Sequence, residues 1–296
     1  MTEPFVSVVL GSYNRRPFLK AALESVRNNG QPFPCEIIVV DGGSNDGSLH
    51  YLQRQKDVIT IIQHNHGKFR GTKIKRQSWG YFMNLGFKAA SGKYILMISD
   101  DCLLVPGAIE NGTNCFEYSL SHGKKIGAMA FYWRNWPDQQ DYRVGFTLGR
   151  KIFVNHGLFL RKALEEIDWI DEETYQFYHA DGDLCLKLWA SGYQVTSCET
   201  AFVEHYQHAK SGPISNKKDW QAYLKKWEGV YYHSENLNTG GWITLSYRDC
   251  FNTYRNFPTW YINKLKLQKM LRTYINKFRF HINQMKKKFL NLLHVS

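Results

Sequence analysis

Residues 94–101 read YILMISDD, an apolar run that ends on two adjacent aspartates. A short run of this kind is typical of a strand that is buried on both faces of a parallel sheet. In open α/β sheets, ligands bind in the crevice beyond the carboxyl ends of the strands. Asp100 and Asp101 are therefore candidate site residues, although either could instead cap the helix predicted at residues 106–120.

The rest of the N-terminal half alternates between two patterns. Three further apolar runs predict strands, at residues 6–10, 36–40 and 58–63. Amphipathic segments between the four runs predict helices, at residues 16–29, 48–54 and 79–90. Strands that alternate with helices form parallel sheets in α/β domains, so this is the predicted fold class. Later in the chain we predict a helix at residues 181–191 and an irregular, aromatic-rich connection at residues 132–150.

Polar residues follow three of these strands at one edge of the predicted sheet. They read GSYNR at residues 11–15, DGGSNDG at residues 41–47 and SDD at residues 99–101. Magnesium and similar divalent cations are usually held by one or two carboxylates together with substrate phosphates. Because neighbouring side chains of a strand point to opposite faces, one aspartate of the pair could bind Mg²⁺ or Mn²⁺ and the other a ribose hydroxyl.

Positive charge is concentrated at the C-terminal end of the chain. The formal net charge is +12, and residues 213–296 contain fifteen Lys and Arg against four Asp and Glu. Apolar residues recur there in steps of four and three, at Leu267, Leu271, Tyr274, Phe278, Ile282, Met285, Phe289 and Leu292. Residues 257–296 are therefore predicted to be a basic amphipathic helical tail. This tail would either bind an anionic membrane surface or pack across the rest of the protein.

Composition indicates a folded protein of the cytoplasm. Hydrophobic residues make up 43% of the chain, which excludes wholesale disorder. The cysteines include no Cys-x-x-Cys pair, which argues against a disulfide framework and a zinc module. No signal peptide begins the sequence, and no stretch approaches the ~20 apolar residues of a membrane span. We expect reduced thiols and a cytoplasmic location, peripheral at the inner face of the membrane if the tail binds lipid.

Four stretches in order resemble the motifs of the family 2 glycosyltransferases, which have the GT-A fold. They are VSVVLGSYNRRPFLKAALESV, EIIVVDGGSNDGS, NLGFKAASGKYILMISDD and ADGDLCLKLWASGYQV, and the resemblance covers roughly residues 5–211. It implies a Rossmann-like, mixed but mostly parallel sheet flanked by helices, in an inverting enzyme that uses a nucleotide sugar. We expect a catalytic domain at residues 1–212, followed by the basic helical extension at residues 257–296. Residues 213–256 would complete the catalytic domain or form an acceptor or lid segment.

The resemblance places nucleotide binding at the strand ends. Asp41 matches the aspartate that accepts the uracil ring N–H, and Ser12 and Tyr13 match the loop that lines the base pocket. Asp100 matches the middle position of the family's D-x-D motif, which often faces the ribose. A UDP-sugar is therefore the favoured donor.

The resemblance also implies which residues carry the reaction. Asp101 matches the metal-binding aspartate of the D-x-D motif, and the implied cofactor is Mn²⁺ or Mg²⁺. His205 resembles the family's late histidine, which can reach metal or diphosphate, and His208 is the alternative. Asp181 matches the general base that deprotonates the acceptor hydroxyl. The alternative is that Asp181 or Asp183 caps the helix that begins here.

Four positions depart from the family's motifs. Ser99 replaces the first aspartate of the D-x-D motif, and Ala180 replaces the glutamate before Asp181. Gly42 replaces the second aspartate after the base-binding strand, and Met83 stands where the family often has arginine. The changes at Ser99 and Ala180 leave a catalytically inactive scaffold as the alternative function.

Two further classes of function fit the sequence less well. A sugar-1-phosphate nucleotidyltransferase needs a glycine-rich, arginine-bearing phosphate loop after the first strand, and GSYNRR does not supply one. A nucleic-acid-binding protein needs a base-reading module, and none accompanies the basic tail, so no specific nucleic acid is expected. The expected partners are a nucleoside-diphosphate sugar and a glycan or lipid-linked acceptor for polysaccharide or glycoconjugate synthesis.

Overall fold

The computed structural model describes residues 3–206, 216–235, 240–246 and 251–293. The strands are β1 Val6–Ser12, β2 Cys35–Asp41, β3 Val58–Ile62, β4 Lys68–Phe69, β5 Thr72–Lys73, β6 Tyr94–Ser99, β7 Cys102–Leu104, β8 Ile126–Trp136, β9 Tyr142–Gly145, β10 Gly157–Leu160, β11 Gln194–Tyr206 and β12 Trp242–Leu245. The helices are α1 Arg16–Arg27, α2 Ser48–Leu52, α3 Trp79–Ala89, α4 Ala108–Ser121, α5 Arg161–Glu166, α6 Ala180–Ala190, α7 Lys217–Trp227, α8 Thr253–Asn256 and α9 Thr259–Leu293. A short 3-10 turn spans Leu148–Arg150.

Four neighbouring strands form the parallel half of the main sheet, in the order β3-β2-β1-β6. The apolar runs of β1, β2 and β6 are buried on both faces, as the sequence predicted, whereas the edge strand β3 exposes Ile59 and Ile62. The register pairs Ser12 with Asp41 and Gly11 with Ser99, so these three strands end at one edge. This alignment brings the polar segments that follow β1, β2 and β6 together.

The other half of the sheet is mixed. β10 is antiparallel to both β6 and β8, whereas β11 is parallel to β8 and carries β7 on its other side. The prediction of an irregular connection at residues 132–150 was wrong, because β8 continues to Trp136 and β9 follows it as an antiparallel strand. The polar Arg134 interrupts the apolar run, but it pairs with the buried Glu204 of β11. A strand therefore forms where the sequence pattern alone suggests a loop.

Two hydrophobic cores lie on opposite faces of this sheet. One contains Val9, Phe87, Phe159 and Leu184, and α3 packs close to β1 in this core. A Cβ added at Gly86 of α3 would lie 2.5 Å from a methyl of Val9, so only glycine allows this approach. The other core packs α1 and α4 against the sheet and contains Leu10, Leu19, Phe116 and Phe131.

The chain divides into two compact units, Met1–Thr253 and Tyr254–Ser296. α7 and β12 belong to the first unit and lie within residues 213–256, for which the sequence left two interpretations open. The second unit consists mainly of α9, which forms the predicted helical extension. Its side chains of Leu267, Leu271, Tyr274 and Phe278 are exposed. Among the described residues, no helix combines the length and apolarity needed to cross a membrane.

Candidate functional site

The aspartate pair lies directly beyond β6. Asp100 and Asp101 are 3% and 7% exposed, and a single Arg15 nitrogen, Nη1, donates to both, at 2.8 Å to Asp100 Oδ1 and 2.9 Å to Asp101 Oδ2. Neither aspartate caps α4, since its N-cap is Gly107 and no side chain caps it. The capping alternative is therefore wrong for this pair.

Arg15 hydrogen-bonds to only one oxygen of each buried aspartate. Burial and the charge of Asp101 raise the pKa of Asp100, the Arg15 charge opposes this increase, and the net result is a pKa of about 6. Among the described residues, no donor reaches Asp100 Oδ2 or Asp101 Oδ1, although both atoms are buried. The buried Ser12 hydroxyl lies close enough to Asp100 to lower the pKa of that carboxyl, but among the described residues it falls short of hydrogen-bond geometry. Because buried polar atoms are normally paired, these atoms mark a place for a ligand.

His205 lies next to the aspartate pair, at the end of β11. Its Nε2 is 3.7 Å from Asp101 Oδ1, and its Nδ1 is 2.7 Å from Asn135 Oδ1. An amide oxygen only accepts hydrogen bonds, so Nδ1 carries the proton and Nε2 directs a lone pair toward Asp101. The alternative histidine, His208, lies outside the described residues.

These residues fit a divalent cation of the magnesium type. Two ligands that are each about 2.1 Å from one ion lie roughly 3 to 4 Å apart, which matches the distance between Asp101 and His205. Cys102 completes a group whose ligand atoms all lie within 4.8 Å. Burial raises the pKa of Cys102 well above its usual value, so this thiol stays protonated. The donor set that remains is oxygen and imidazole nitrogen, which suits Mg²⁺ or Mn²⁺ better than a thiolate-bound metal.

The predicted nucleotide-binding residues of β1 and β2 meet at the same edge. Asp41 is fully buried, and its Oδ1 accepts from the N–H groups of Gly43 and Ser44 at 2.8 and 2.7 Å. Its carboxylate therefore holds the turn after β2, whatever else it binds. Tyr13 is 41% exposed, and its ring lies 3.2 Å from where a Cβ of Gly42 would be. The departure at Gly42 lets this exposed ring pack against the backbone of the turn.

Asp181 lies in the first turn of α6 and is partly buried. It does not cap the helix, because the N-cap is His179 at a φ of 66°. Its Oδ2 accepts from Asn155 Nδ2 at 3.0 Å and its Oδ1 from the N–H of Gly182 at 2.8 Å. Burial raises the pKa of Asp181 despite these bonds, which moves it toward the range of a general base.

Asp183, two residues later, is completely buried and fully paired. It accepts hydrogen bonds from Tyr175 Oη at 3.0 Å and from Trp227 Nε1 at 2.9 Å, and Lys226 Nζ lies 2.9 Å from its other oxygen. The alternative of a helix-capping Asp183 is therefore wrong. Its role is to join α6 to α7.

One segment contacts both candidate centres. Asn155 bonds Asp181, and the next residue, His156, lies with its ring 5.7 Å from that of His205 and its Nε2 3.6 Å from Cys102 Sγ. Burial lowers the pKa of His156 to about 3, so this histidine is neutral. The aspartate pair and Asp181 are therefore linked through adjacent residues.

Sequence reasoning missed four of these residues: Arg15, Asn135, Asn155 and His156. The run GSYNRR pointed to the strand end that contains Arg15, although its partners are 85 and 86 residues away. The other three had no local signal, because each gains its meaning from a residue on another strand or helix.

A model of the family described as "Glycosyl transferase family 2" matches residues 7–165, which is more than half of the chain. The chain belongs to glycosyltransferase family 2. The uncharacterized glycosyltransferase YwdF of Bacillus subtilis (strain 168) is 27% identical over 213 residues, which cover 67% of this chain and 72% of YwdF. A GalNAc(5)-diNAcBac-PP-undecaprenol beta-1,3-glucosyltransferase of Campylobacter jejuni is 32% identical over 108 residues, 36% of this chain. This chain spans about a third of that enzyme's length, 32%.

Two solved structures share the fold of this chain. The structure of S. aureus TarS 1-349 in complex with UDP aligns with a TM-score of 0.54 at 15% identity, over 73% of this chain and 62% of that chain. The mannosyltransferase PcManGT from Pyrobaculum calidifontis, in complex with GDP-Man and Mn²⁺, aligns with a TM-score of 0.50 at 17% identity, over 69% of this chain and 57% of that one. The predicted GT-A fold is thus confirmed.

Proposed function

We propose that this chain is an inverting, metal-dependent glycosyltransferase that moves a sugar from a nucleoside-diphosphate sugar to a hydroxyl group. A UDP-sugar is the favoured donor, and the product belongs to polysaccharide or glycoconjugate synthesis. The observation that carries the proposal is the buried pair Asp100 and Asp101, each with one oxygen that no donor in the described residues reaches. Structural neighbours with the same fold bind UDP or GDP-Man, which supports a nucleotide sugar.

In this proposal, the first half of the sheet binds the donor. Asp41 accepts from the base, Ser12 and Tyr13 line the base pocket, and Asp100 accepts from the ribose. Asp101 and His205 would hold Mn²⁺ or Mg²⁺, which when bound stabilises the negative charge of the departing diphosphate.

Asp181 is the proposed general base. It takes the proton of the acceptor hydroxyl while that oxygen bonds to the anomeric carbon and the bond to the diphosphate breaks. Attack from the side opposite the leaving group inverts the anomeric configuration, and one base suffices for this reaction. The raised pKa of Asp181 supports its role as a proton acceptor.

The alternative of an inactive scaffold rests on Ser99 and Ala180. Ala180 is 1% exposed and belongs to the hydrophobic core, so the glutamate of the family's motif would have no solvent there. The position is thus adapted to packing, and its change does not remove Asp181 from the site. The nucleotidyltransferase alternative has no support from the loop after β1, whose Arg15 is bound to the aspartates.

For the tail, we propose binding to an anionic membrane surface, where a lipid-linked acceptor would be found. The exposed apolar side chains of Leu271 and Phe278 lie on a helix with many Lys and Arg, which complements acidic lipid headgroups. The variant Leu271→Glu with Phe278→Glu should lose pelleting with vesicles of anionic phospholipid. Tyr118→Glu, which changes a similarly exposed side chain on α4, is the control. Unchanged pelleting of the double variant would contradict membrane binding by the tail.

The test of the enzyme proposal is thermal stabilisation by nucleoside diphosphates. With Mn²⁺ or Mg²⁺, UDP at 100 times its Kd should stabilise the wild-type protein by about 2.7 kcal/mol. Asp101→Asn should lose the metal-dependent part of this effect, and Asp57→Asn, remote from the site, should keep it. Hydrolysis of a panel of nucleotide sugars then identifies the donor.

Two outcomes decide against the enzyme. If the wild-type protein responds to no nucleotide with either metal, the scaffold alternative is favoured. If Asp101→Asn responds as the wild-type protein does, the metal is held elsewhere and the assignment of Asp101 is wrong.

A further inference from the structure

Arg143 of β9 lies between two tryptophan rings. Its guanidinium carbon is 4.0 Å from the ring centroid of Trp242 and 4.7 Å from that of Trp133. Within the described ranges, its side chain forms no hydrogen bond or ion pair, and its Nε is buried without a partner. A guanidinium held by cation–π contact with aromatic rings keeps N–H donors for another group. Arg143 is therefore a cation that is held in place and whose donors are unused by the part of the chain that the structure describes.

Arg134, on the neighbouring strand β8, shows what a satisfied arginine looks like here. It binds Glu204 through Nε and Nη2 at 2.7 to 3.0 Å, and its Nη1 donates to the carbonyl of Gln140 at 3.0 Å. Each of the three guanidinium nitrogens of this structural arginine thus donates a hydrogen bond. Packing alone does not account for Arg143, because no carboxylate of the described residues pairs with its charge as Glu204 pairs with Arg134.

Arg143 is on the same sheet face as His205. Register places Arg143 opposite Trp133 and Asn135 opposite His205, and residues two apart on a strand share a face. The Trp133 ring packs edge-on against His205, with 5.7 Å between ring centroids. One aromatic ring therefore separates Arg143 from the residue beside Asp101.

The order of strands places Arg143 away from the proposed base pocket. In the sheet β12-β9-β8-β10-β6-β1-β2-β3, β9 and β12 lie on one side of β6, and β1 and β2 lie on the other. A donor that spans from Asp41 to Asp101 would occupy the side of β1 and β2. The other side, which contains Arg143, is left for the acceptor.

We propose that Arg143, Trp133 and Trp242 form an acceptor subsite that binds an oxyanion, a phosphate or a carboxylate, attached to a sugar. Arg143 donates to the anion, and the partly exposed Trp242 ring packs against the sugar. The inference rests on the proposed function for its place in the reaction. Its binding chemistry is independent of that function.

The test compares three probes that share one sugar ring and differ at C6: glucose, glucose 6-phosphate and glucuronate. Each is titrated by ligand-observed NMR at constant ionic strength. The wild-type protein should bind one anionic probe at least about tenfold more tightly than glucose, as expected for hydrogen bonds to a charged group. The probe that gains identifies the anion as phosphate or carboxylate. Arg143→Gln should reduce this preference to about twofold or less.

Two further variants guard against a folding defect. Arg161→Gln removes an exposed arginine that pairs with Glu165 on α5, and it should keep the full preference. Trp242→Ala removes one wall of the subsite at a side chain that is 47% exposed, and it should weaken the preference. An anion preference that persists in Arg143→Gln and Trp242→Ala, or is absent from the wild-type protein, overturns the proposal.

UDP titration with Mn²⁺ separates this proposal from the proposed function. Arg143→Gln should bind UDP as tightly as the wild-type protein does, and a loss of UDP affinity would overturn the acceptor assignment. If the wild-type protein prefers anionic sugars through Arg143 but does not bind UDP, the proposed subsite stands and the proposed donor is wrong.

Discussion

In the part of the chain that the structure describes, polar residues form interior clusters in which each charge has several partners, and a rim in which polar groups have fewer. Asp183 and Asp181 show the difference within one helical turn. Asp183 is completely buried and is held by Tyr175, Trp227 and Lys226. Asp181 is partly buried and is bonded only by Asn155 and a backbone N–H in the described part of the chain. A change at either aspartate would remove the same functional group but different interactions.

The arginines show the same difference on neighbouring strands. Arg134 is fully engaged with Glu204 and a carbonyl, whereas Arg143 meets only aromatic rings within the described residues. Residue type and burial do not separate structural from functional groups here. The number of partners does, because a closed cluster gains nothing from a ligand and an open atom does.

The largest expected effect is on the reaction, at the open aspartate. Asp181→Asn should lower transfer by roughly 10²- to 10⁴-fold, because the amide cannot accept the proton. Stability and UDP binding should be unchanged. In the wild-type protein, transfer should rise with pH through a pKa above the ordinary range of aspartate, since only the carboxylate is a base. Transfer assays over a pH series check both points, and a variant that retains transfer would place the base elsewhere.

The closed aspartate should show the opposite behaviour. Asp183→Ala should lower the free energy of unfolding by about 3 to 5 kcal/mol, because it leaves buried donors and the Lys226 charge without their acceptor. Urea denaturation measures the loss. Glu165→Ala, which breaks an exposed pair with Arg161, is the control and should cost less than about 1 kcal/mol. Equal losses for the two variants would mean that the interior cluster is not closed in solution.

Much of the fold follows from local sequence, and less of the site does. The strands β1, β2 and β6 are predictable because their apolar runs need burial on both faces. Because parallel strands end at one edge, Asp41 and Asp100 could also be placed near each other. This part of the prediction depends only on patterns within a few residues.

The mixed half of the sheet could not be predicted in this way. Arg134 is stabilised in its strand by Glu204, which is 70 residues away in the sequence. Asn155 hydrogen-bonds to Asp181, which is 26 residues away. Arg143 and Trp242 meet through the pairing of β9 with β12. These contacts are set by tertiary packing, so no window of sequence contains them.

A smaller effect is expected at Asn135, the neutral neighbour that orients His205. Asn135→Ala removes the acceptor that fixes the proton of His205 on Nδ1, and Mn²⁺ affinity should fall roughly tenfold or more. Asn135→Asp keeps an acceptor at this position and should restore binding. Calorimetric titration with Mn²⁺ in the presence of UDP measures the affinity. Equal affinity of the alanine variant would show that His205 needs no such support or binds no metal.

The smallest effect is expected at Arg15, whose positive charge partly neutralises Asp100 and Asp101. Its Nη1 donates to both aspartates, so it competes with a cation for their charge. Arg15→Gln should raise Mn²⁺ affinity in the absence of nucleotide by roughly three- to tenfold. Arg16→Gln, the adjacent and exposed arginine, should leave it unchanged. If Arg15→Gln instead weakens Mn²⁺ binding, Arg15 does not compete with the cation. It then holds the two carboxylates in the orientation that binds Mn²⁺.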